Sequence, residues 1–163
     1  MKHVFFFLAS LATLNVYATI RTVSNNPSTI AQFSTIQAAI DAAVGGDTIL
    51  VHGSPNNYAG FAINNKQLVI IGPGWNPNKE LPHPVNITTG SLLSGTGTSG
   101  TELQGLSFYA FIGINTTGIN NVRIFRNRFH RTSVTFQGSG SGVFSGYVFE
   151  GNWFDNGWVG SSN

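Results

Sequence analysis

Thr-Glu-Leu-Gln-Gly-Leu-Ser-Phe at 101–108, Val-Arg-Ile-Phe-Arg-Asn-Arg-Phe at 122–129 and Tyr-Val-Phe-Glu-Gly-Asn-Trp-Phe at 147–154 are three versions of one pattern. Superimposed, Thr101, Val122 and Tyr147 coincide, then Leu103, Ile124 and Phe149, and Phe108, Phe129 and Phe154 close each unit; the shifts are 21 and 25 residues. Alternate positions are apolar, as on a strand with one buried face, and a Gly or polar turn then returns an aromatic. A repeat of this length and pattern specifies a solenoid of stacked β-coils, in which each coil covers the apolar face of its neighbour.

Two earlier stretches extend the series. Residues 47–53 and 67–72 read as strands ending at Gly53 and Gly72. In the phase of the repeat, Ile49 and Leu68 are expected in the column of Thr101, Val51 and Ile70 in that of Leu103, and the two glycines beside Gly105 and Gly151. About five coils result. Phe61 with Ile63, Val85 with Ile87, Ile112 with Ile114 and Val134 with Phe136 supply the other walls. Stacking places equivalent residues about 4.8 Å apart. Glu102 then lies beside Arg123 as an ion pair, and Arg128 beside Trp153 as a cation–π contact. Asn127 and Asn152 are expected to share a turn with left-handed backbone, their amides bonding neighbours, while Leu106 interrupts that ladder.

The remainder of the chain fits around this body. Residues 1–18 have a basic start at Lys2, an apolar run from Val4 and a small-residue end at Val16-Tyr17-Ala18, which predicts a secretory signal peptide removed before Thr19. The apolar run is short for a membrane span. Ile20 to Val23 alternates as a strand. A capping helix is predicted over about 34–44, from a Ser34/Gln37 capping box and the apolar face Ile36, Ala39, Ile40, Ala43 and Val44, stopped by Gly45-Gly46. Residues 75–84, rich in Pro and Asn, read as a loop thrown out from a coil, and 94–100 as a flexible turn.

Composition agrees with many tight turns. Of 163 residues, 20 are Gly and only 9% are charged, while 13 Phe provide core material. A net charge of +2 is no argument for nucleic acid. The absence of cysteine removes disulfides, zinc–thiolate sites and thiol nucleophiles.

Phe33-Ser34-Thr35-Ile36-Gln37-Ala38-Ala39-Ile40-Asp41-Ala42-Ala43, then Gly46-Asp47-Thr48-Ile49-Leu50-Val51 and Leu68-Val69-Ile70-Ile71-Gly72, resemble the amino-terminal cap and first coils of the right-handed parallel β-helix, or pectin-lyase-like, superfamily. Asn-Arg-Phe at 127–129 and Asn-Trp-Phe at 152–154 are similar to its turn asparagine and inward aromatic. The resemblance implies an all-β, right-handed parallel β-helix over 19–163 with a short amino-terminal capping α-helix. For activity it implies little, because the superfamily holds lyases, hydrolases, epimerases, tailspikes and adhesins. The wording around Val23-Ser24-Asn25-Asn26-Pro27 and Gly72-Pro73-Gly74-Trp75-Asn76-Pro77 is similar to secreted Bacteroidetes-type surface proteins.

Acid-dependent catalysis or calcium binding needs carboxylates converging on one face. The six here are Asp41, Asp47, Glu80, Glu102, Glu150 and Asp155, and of these only Glu150 and Asp155 could approach one another. His52, His83 and His130 fall on separate segments, with His130 read as a turn residue. No catalytic residue, metal site or cofactor is therefore assigned. The candidate binding residues are Arg123, Arg126 and Arg128, whose guanidinium groups suit uronic-acid carboxylates, with Trp75 and Trp153 as flat faces for sugar rings. The expected function is a secreted or cell-surface structural or adhesive module with a polysaccharide partner. The alternative is the amino-terminal part of a polysaccharide lyase or glycoside hydrolase with its catalytic coils beyond residue 163. An uncapped repeat at 147–154 leads to the expectation that further coils or a partner cover that edge.

Overall fold

A computed structural model describes residues 18–74, 83–115, 118–138 and 145–161. The segment expected to be a signal peptide, apart from Ala18, and Trp75 with most of the expected 75–84 loop lie outside the described residues. An opening strand, β1 (Ile20–Val23), leads through the helix α1 (Ile36–Ala42) into five coils. The first holds β2 (Thr48–Val51) and β3 (Ala62–Asn64), and the second β4 (Val69–Ile71), β5 (Asn86–Ile87) and β6 (Ser91–Ser94). The third holds β7 (Glu102–Gln104), β8 (Ser107–Phe108) and β9 (Ile112–Asn115). The fourth holds β10 (Arg123–Phe125), β11 (Arg128–His130) and β12 (Ser133–Gln137), and the fifth β13 (Val148–Glu150), β14 (Trp153–Asp155) and β15 (Trp158–Ser161).

Every strand pairs in parallel with its counterpart one coil away, giving three sheets ordered β1-β2-β4-β7-β10-β13, β5-β8-β11-β14 and β3-β6-β9-β12-β15. The described residues thus form an all-β parallel solenoid with one short α-helix near its amino-terminal end. The repeat register is as read: Leu103, Ile124 and Phe149 are directly paired, and so are Phe108, Phe129 and Phe154. The three Phe rings stack with centroids 5.3 and 4.7 Å apart and planes within 11° of parallel. Such ladders arise because each coil repeats the side chain of the last, and each aromatic pair adds about 0.5–1.5 kcal/mol beyond its burial. The additional apolar pairs belong to two walls: Val85 and Ile87 to the second sheet, the others to the third.

The first coil corrects the expected register. Ile49 pairs with Ile70, and Leu68 falls opposite Thr101, so β2 sits two residues away from the expected alignment. The column of Thr101 is headed by Asp47, whose carbonyl accepts the Val69 amide at 3.1 Å. A two-residue slip preserves the inward–outward parity of a strand, so alternation cannot detect it. What decides it is Asp47 itself, which is 0% exposed. Its Oδ1 accepts the Thr19 backbone N–H at 2.8 Å, and its Oδ2 accepts Arg21 Nε at 2.9 Å and the Val44 N–H at 3.0 Å. Burial works against the charged carboxylate and is the largest single influence. The hydrogen bonds from Thr19, Val44 and Arg21 and the guanidinium charge together outweigh it, and the pKa lies below the ordinary 3.8.

The helix is shorter than predicted, and its cap falls one residue later. Thr35, not Ser34, is the N-cap, accepting from the Ala38 N–H at 3.2 Å. Gln37 closes no capping box: its Oε1 accepts from the Ala62 N–H at 2.7 Å and its amide donates to Asp41 at 2.8 Å, tying α1 to β3. Ile36, Ala39, Ile40 and Ala43 are buried under the cap, whereas Val44 is half exposed. The 94–100 stretch is a built 3-10 turn (Thr96–Thr98), with Thr98 buried and its hydroxyl donating to the Ser94 carbonyl. Among the described residues no helix is long and apolar enough to cross a membrane.

The turn joining the first and second sheets also differs from expectation. Left-handed backbone falls on Gly105, Arg126 and Gly151, the residues before the asparagine positions. Asn127 and Asn152 instead run their amides along the solenoid axis. Asn127 Oδ1 accepts the Leu106 N–H at 2.9 Å and Asn152 Oδ1 the Asn127 N–H at 3.0 Å; their Nδ2 groups donate to the carbonyls of Leu103 and Ile124. Leu106 ends the ladder as donor only, as its apolar side chain requires.

Candidate functional site

The four arginines of the fourth coil do not form one patch. Arg123 stands on the outer face of the first sheet, Arg126 at the following corner, Arg128 on the outer face of the second sheet and Arg131 at the next turn. Side chains along one coil point to successive walls of the solenoid, so closeness in sequence separates them in space. Arg123 donates to Glu102 at 2.8 Å and lies 5.4 Å from the Phe125 ring centre. Half exposed, this ion pair contributes at most about 1 kcal/mol.

The outer face of the second sheet is different. Parallel register stacks Ser107, Arg128 and Trp153 in one outward column, and Tyr109, His130 and Asp155 in the next. Arg128 lies 5.9 Å from the Trp153 ring centre, and its Nη2 is 3.6 Å from Asp155 Oδ2. The same carboxylate oxygen lies 2.6 Å from His130 Nδ1, and the His130 ring is tilted against Tyr109 at 4.9 Å. Trp153 is 42% and Tyr109 39% exposed, so two aromatic surfaces flank a cation and a carboxylate–imidazole pair at the solvent boundary.

This arrangement can do two things chemically. An Asp carboxylate accepting from Nδ1–H fixes the imidazole ring and leaves Nε2 as the group able to accept or deliver a proton. The Arg128–Trp153 pair offers a planar cation and a flat apolar face side by side, which suits a sugar ring carrying a carboxylate. Among the described residues no group of three or more His, Asp and Glu side chains is placed to hold a metal ion.

Of the residues expected to bind, the structure joins only Arg128 and Trp153; Arg123 and Arg126 lie on other surfaces, and Trp75 is outside the described residues. Glu150 and Asp155, the two acids that could approach one another, stand on β13 and β14 in different sheets, and Asp155 is taken up by His130 and Arg128. His130 is a strand residue and not a turn residue. The His130–Asp155 pair was missed, although the 25-residue shift that sets Arg128 beside Trp153 sets His130 beside Asp155 two positions later.

A shallow cleft lies away from this face, between the start of α1 and the first coil, lined by Asn25, Thr35, Gln37, Tyr58 and Gly60. No family model, curated protein or solved structure matches this chain.

Proposed function

We propose that the protein is a secreted or cell-surface β-helix of the pectin-lyase-like kind, a rigid structural and adhesive module that contacts anionic polysaccharide along the outer face of its second sheet. The supporting observation is the Arg128–Trp153 pair, with its ring centre 5.9 Å from the guanidinium carbon and Tyr109 exposed on the adjoining column. A solenoid suits this role because its outer face is a flat, repeating surface held by the backbone ladder, and a linear glycan is itself a repeating ligand. Carboxylates along such a glycan would meet Arg128, and pyranose faces would lie on Trp153.

The test is affinity electrophoresis of the chain from Thr19 onward through gels containing a polyuronate or a neutral polysaccharide. Retardation is expected in the polyuronate gel, with Trp153→Ala weakening binding roughly tenfold, equivalent to about 1.4 kcal/mol. Arg126→Ala, at another corner, should leave it unchanged. Equal mobility of wild type and Trp153→Ala in the polyuronate gel would remove the reading.

A second reading rests on the His130–Asp155 pair at 2.6 Å. In the amino-terminal part of a polysaccharide lyase or glycoside hydrolase, an oriented imidazole would move the proton while Arg128 faced the substrate carboxylate. Release of unsaturated or reducing ends from the same polyuronate, abolished by His130→Ala, would favour it over simple adhesion.

A further inference from the structure

We propose that Thr19 is the amino terminus of the mature protein and that its α-ammonium group is bound by Asp47, so that removal of the leader completes a charge site at the closed end of the solenoid. This rests on the secretion reading above, which makes 1–18 a leader. It adds what the new terminus does.

The geometry is already set. Asp47 is 0% exposed and heads an inward column, and its Oδ1 faces the Thr19 nitrogen at 2.8 Å. That nitrogen is positioned by the body of the fold. The Thr48 N–H donates to the Thr19 carbonyl at 2.9 Å, and β1 is held in register on β2 from Ile20 onward. On its other side β1 is tied down by Thr22, whose carbonyl accepts from the Phe33 N–H at 3.0 Å and whose own N–H donates to Gln32 at 3.0 Å. Ala18 and Thr19 are exposed, so the bond between them lies at the surface while the carboxylate beneath is buried.

The chemical change is simple. A leader endopeptidase breaks the C–N bond between Ala18 and Thr19; water supplies hydroxyl to the Ala18 carbonyl carbon and a proton to the Thr19 nitrogen. At neutral pH the amine takes a further proton and becomes a cation. The donor facing Asp47 Oδ1 is thereby converted from a neutral amide N–H into an ammonium at the same atom. Charge-assisted hydrogen bonds are roughly twice as strong as neutral ones. Before cleavage Arg21, with Nε 2.9 Å from Oδ2, is the side-chain cation on this carboxylate. Afterwards each oxygen has a cationic donor of its own.

Two chains of identical sequence from Thr19 separate charge from hydrogen bonding, one with a free amine and one acetylated at Thr19, which keeps an N–H at that atom but no charge. The free chain is expected to melt about 2–4 °C higher, and Asp47→Asn should erase the difference. Equal melting of the two chains would overturn the pairing. Should Asp47→Asn fail to fold, NMR of the ¹⁵N-labelled Thr19 amine in the unsubstituted chain decides. Titration above the usual range of about 7.7–8.0 supports the pairing, and titration within or below it overturns it. Terminal sequencing of exported protein separates this inference from the reading beneath it. A start at Thr19 supports both; export with another terminus sinks this inference alone; retention of the uncleaved chain in the producing cell sinks both.

Discussion

The first and fifth coils of the solenoid solve the same problem in opposite ways. At the amino-terminal end α1 and β1 lie over the first coil, and the leading column position holds a buried carboxylate, Asp47. In the fifth coil the corresponding position is Tyr147, half-buried, its hydroxyl donating to the Ile119 carbonyl at 2.7 Å. Phe149 and Phe154 are likewise only partly covered, whereas Leu103, Ile124, Phe108 and Phe129 are each 0% exposed. The repeat therefore fixes which residues point inward, and what lies over a coil fixes how much each is worth. A cap rich in oriented donors lets a charge occupy a core position.

The largest expected effect breaks the closed end. Asp47→Asn replaces a buried ionised partner of Arg21 and leaves backbone donors facing an amide, and it should cost about 3–5 kcal/mol in equilibrium denaturation. The pH dependence of the unsubstituted protein reports the same group. Because the Asp47 pKa is held below 3.8 in the fold, its contribution is fully present above that value and is lost as the pH falls from there through the lowered folded value. An acid titration of stability should show a loss in that window that Asp47→Asn abolishes. An unchanged acid limb would show that the carboxylate does not couple to folding.

A second comparison sharpens the contrast with the fifth coil. Phe129 lies between Phe108 and Phe154 in the aromatic stack and is 0% exposed; Phe154 has a ring on one side only among the described residues. Phe129→Ala should cost about 3–5 kcal/mol. Phe154→Ala should cost about 1–2 kcal/mol, in proportion to its partial burial. Equal losses, measured by denaturant titration, would mean that the fifth coil is covered in solution by something that completes the stack.

Most of the architecture was legible because the third, fourth and fifth coils repeat the same outline. Thr101, Val122 and Tyr147 align by inspection, and the alignment carries the Glu102–Arg123 and Arg128–Trp153 contacts with it. The first coil was misaligned because its key inward residue is an acid, and an acid read from sequence is assigned to solvent. Nothing local to Asp47 announces that Thr19 and Arg21, more than 25 residues earlier, will supply its donors. The helix start was displaced for a related reason, since adjacent hydroxyls at Ser34 and Thr35 can each cap. The burial of Ile36, Ala39 and Ile40 selects between them. The arginine cluster looked continuous only because strand and corner residues are adjacent in sequence. His130 and Asp155 were within reach of the same alignment, and were lost because each was judged by its immediate neighbours.

The smallest effect concerns one turn column, where Gly105, Arg126 and Gly151 share a left-handed conformation with φ of 69°, 56° and 61°. Conformation alone would make the three positions equivalent, but packing separates them. A Cβ at Gly105 would meet the Gly72 carbonyl oxygen at 2.4 Å, so glycine there is required by close approach of two coils. At Gly151 the nearest atom to such a Cβ is Arg126 Cγ at 3.6 Å, an ordinary contact. Left-handed backbone costs a non-glycine residue about 1–2 kcal/mol, and the greater freedom of glycine in the unfolded chain returns about 0.4–1 kcal/mol of that. Arg126→Gly should therefore stabilise by about 0.5 kcal/mol and Gly151→Ala destabilise by a similar amount, while Gly105→Ala should cost several times more. A loss of stability in Arg126→Gly would show that the arginine side chain holds the corner between the first and second sheets through contacts that outweigh its backbone strain.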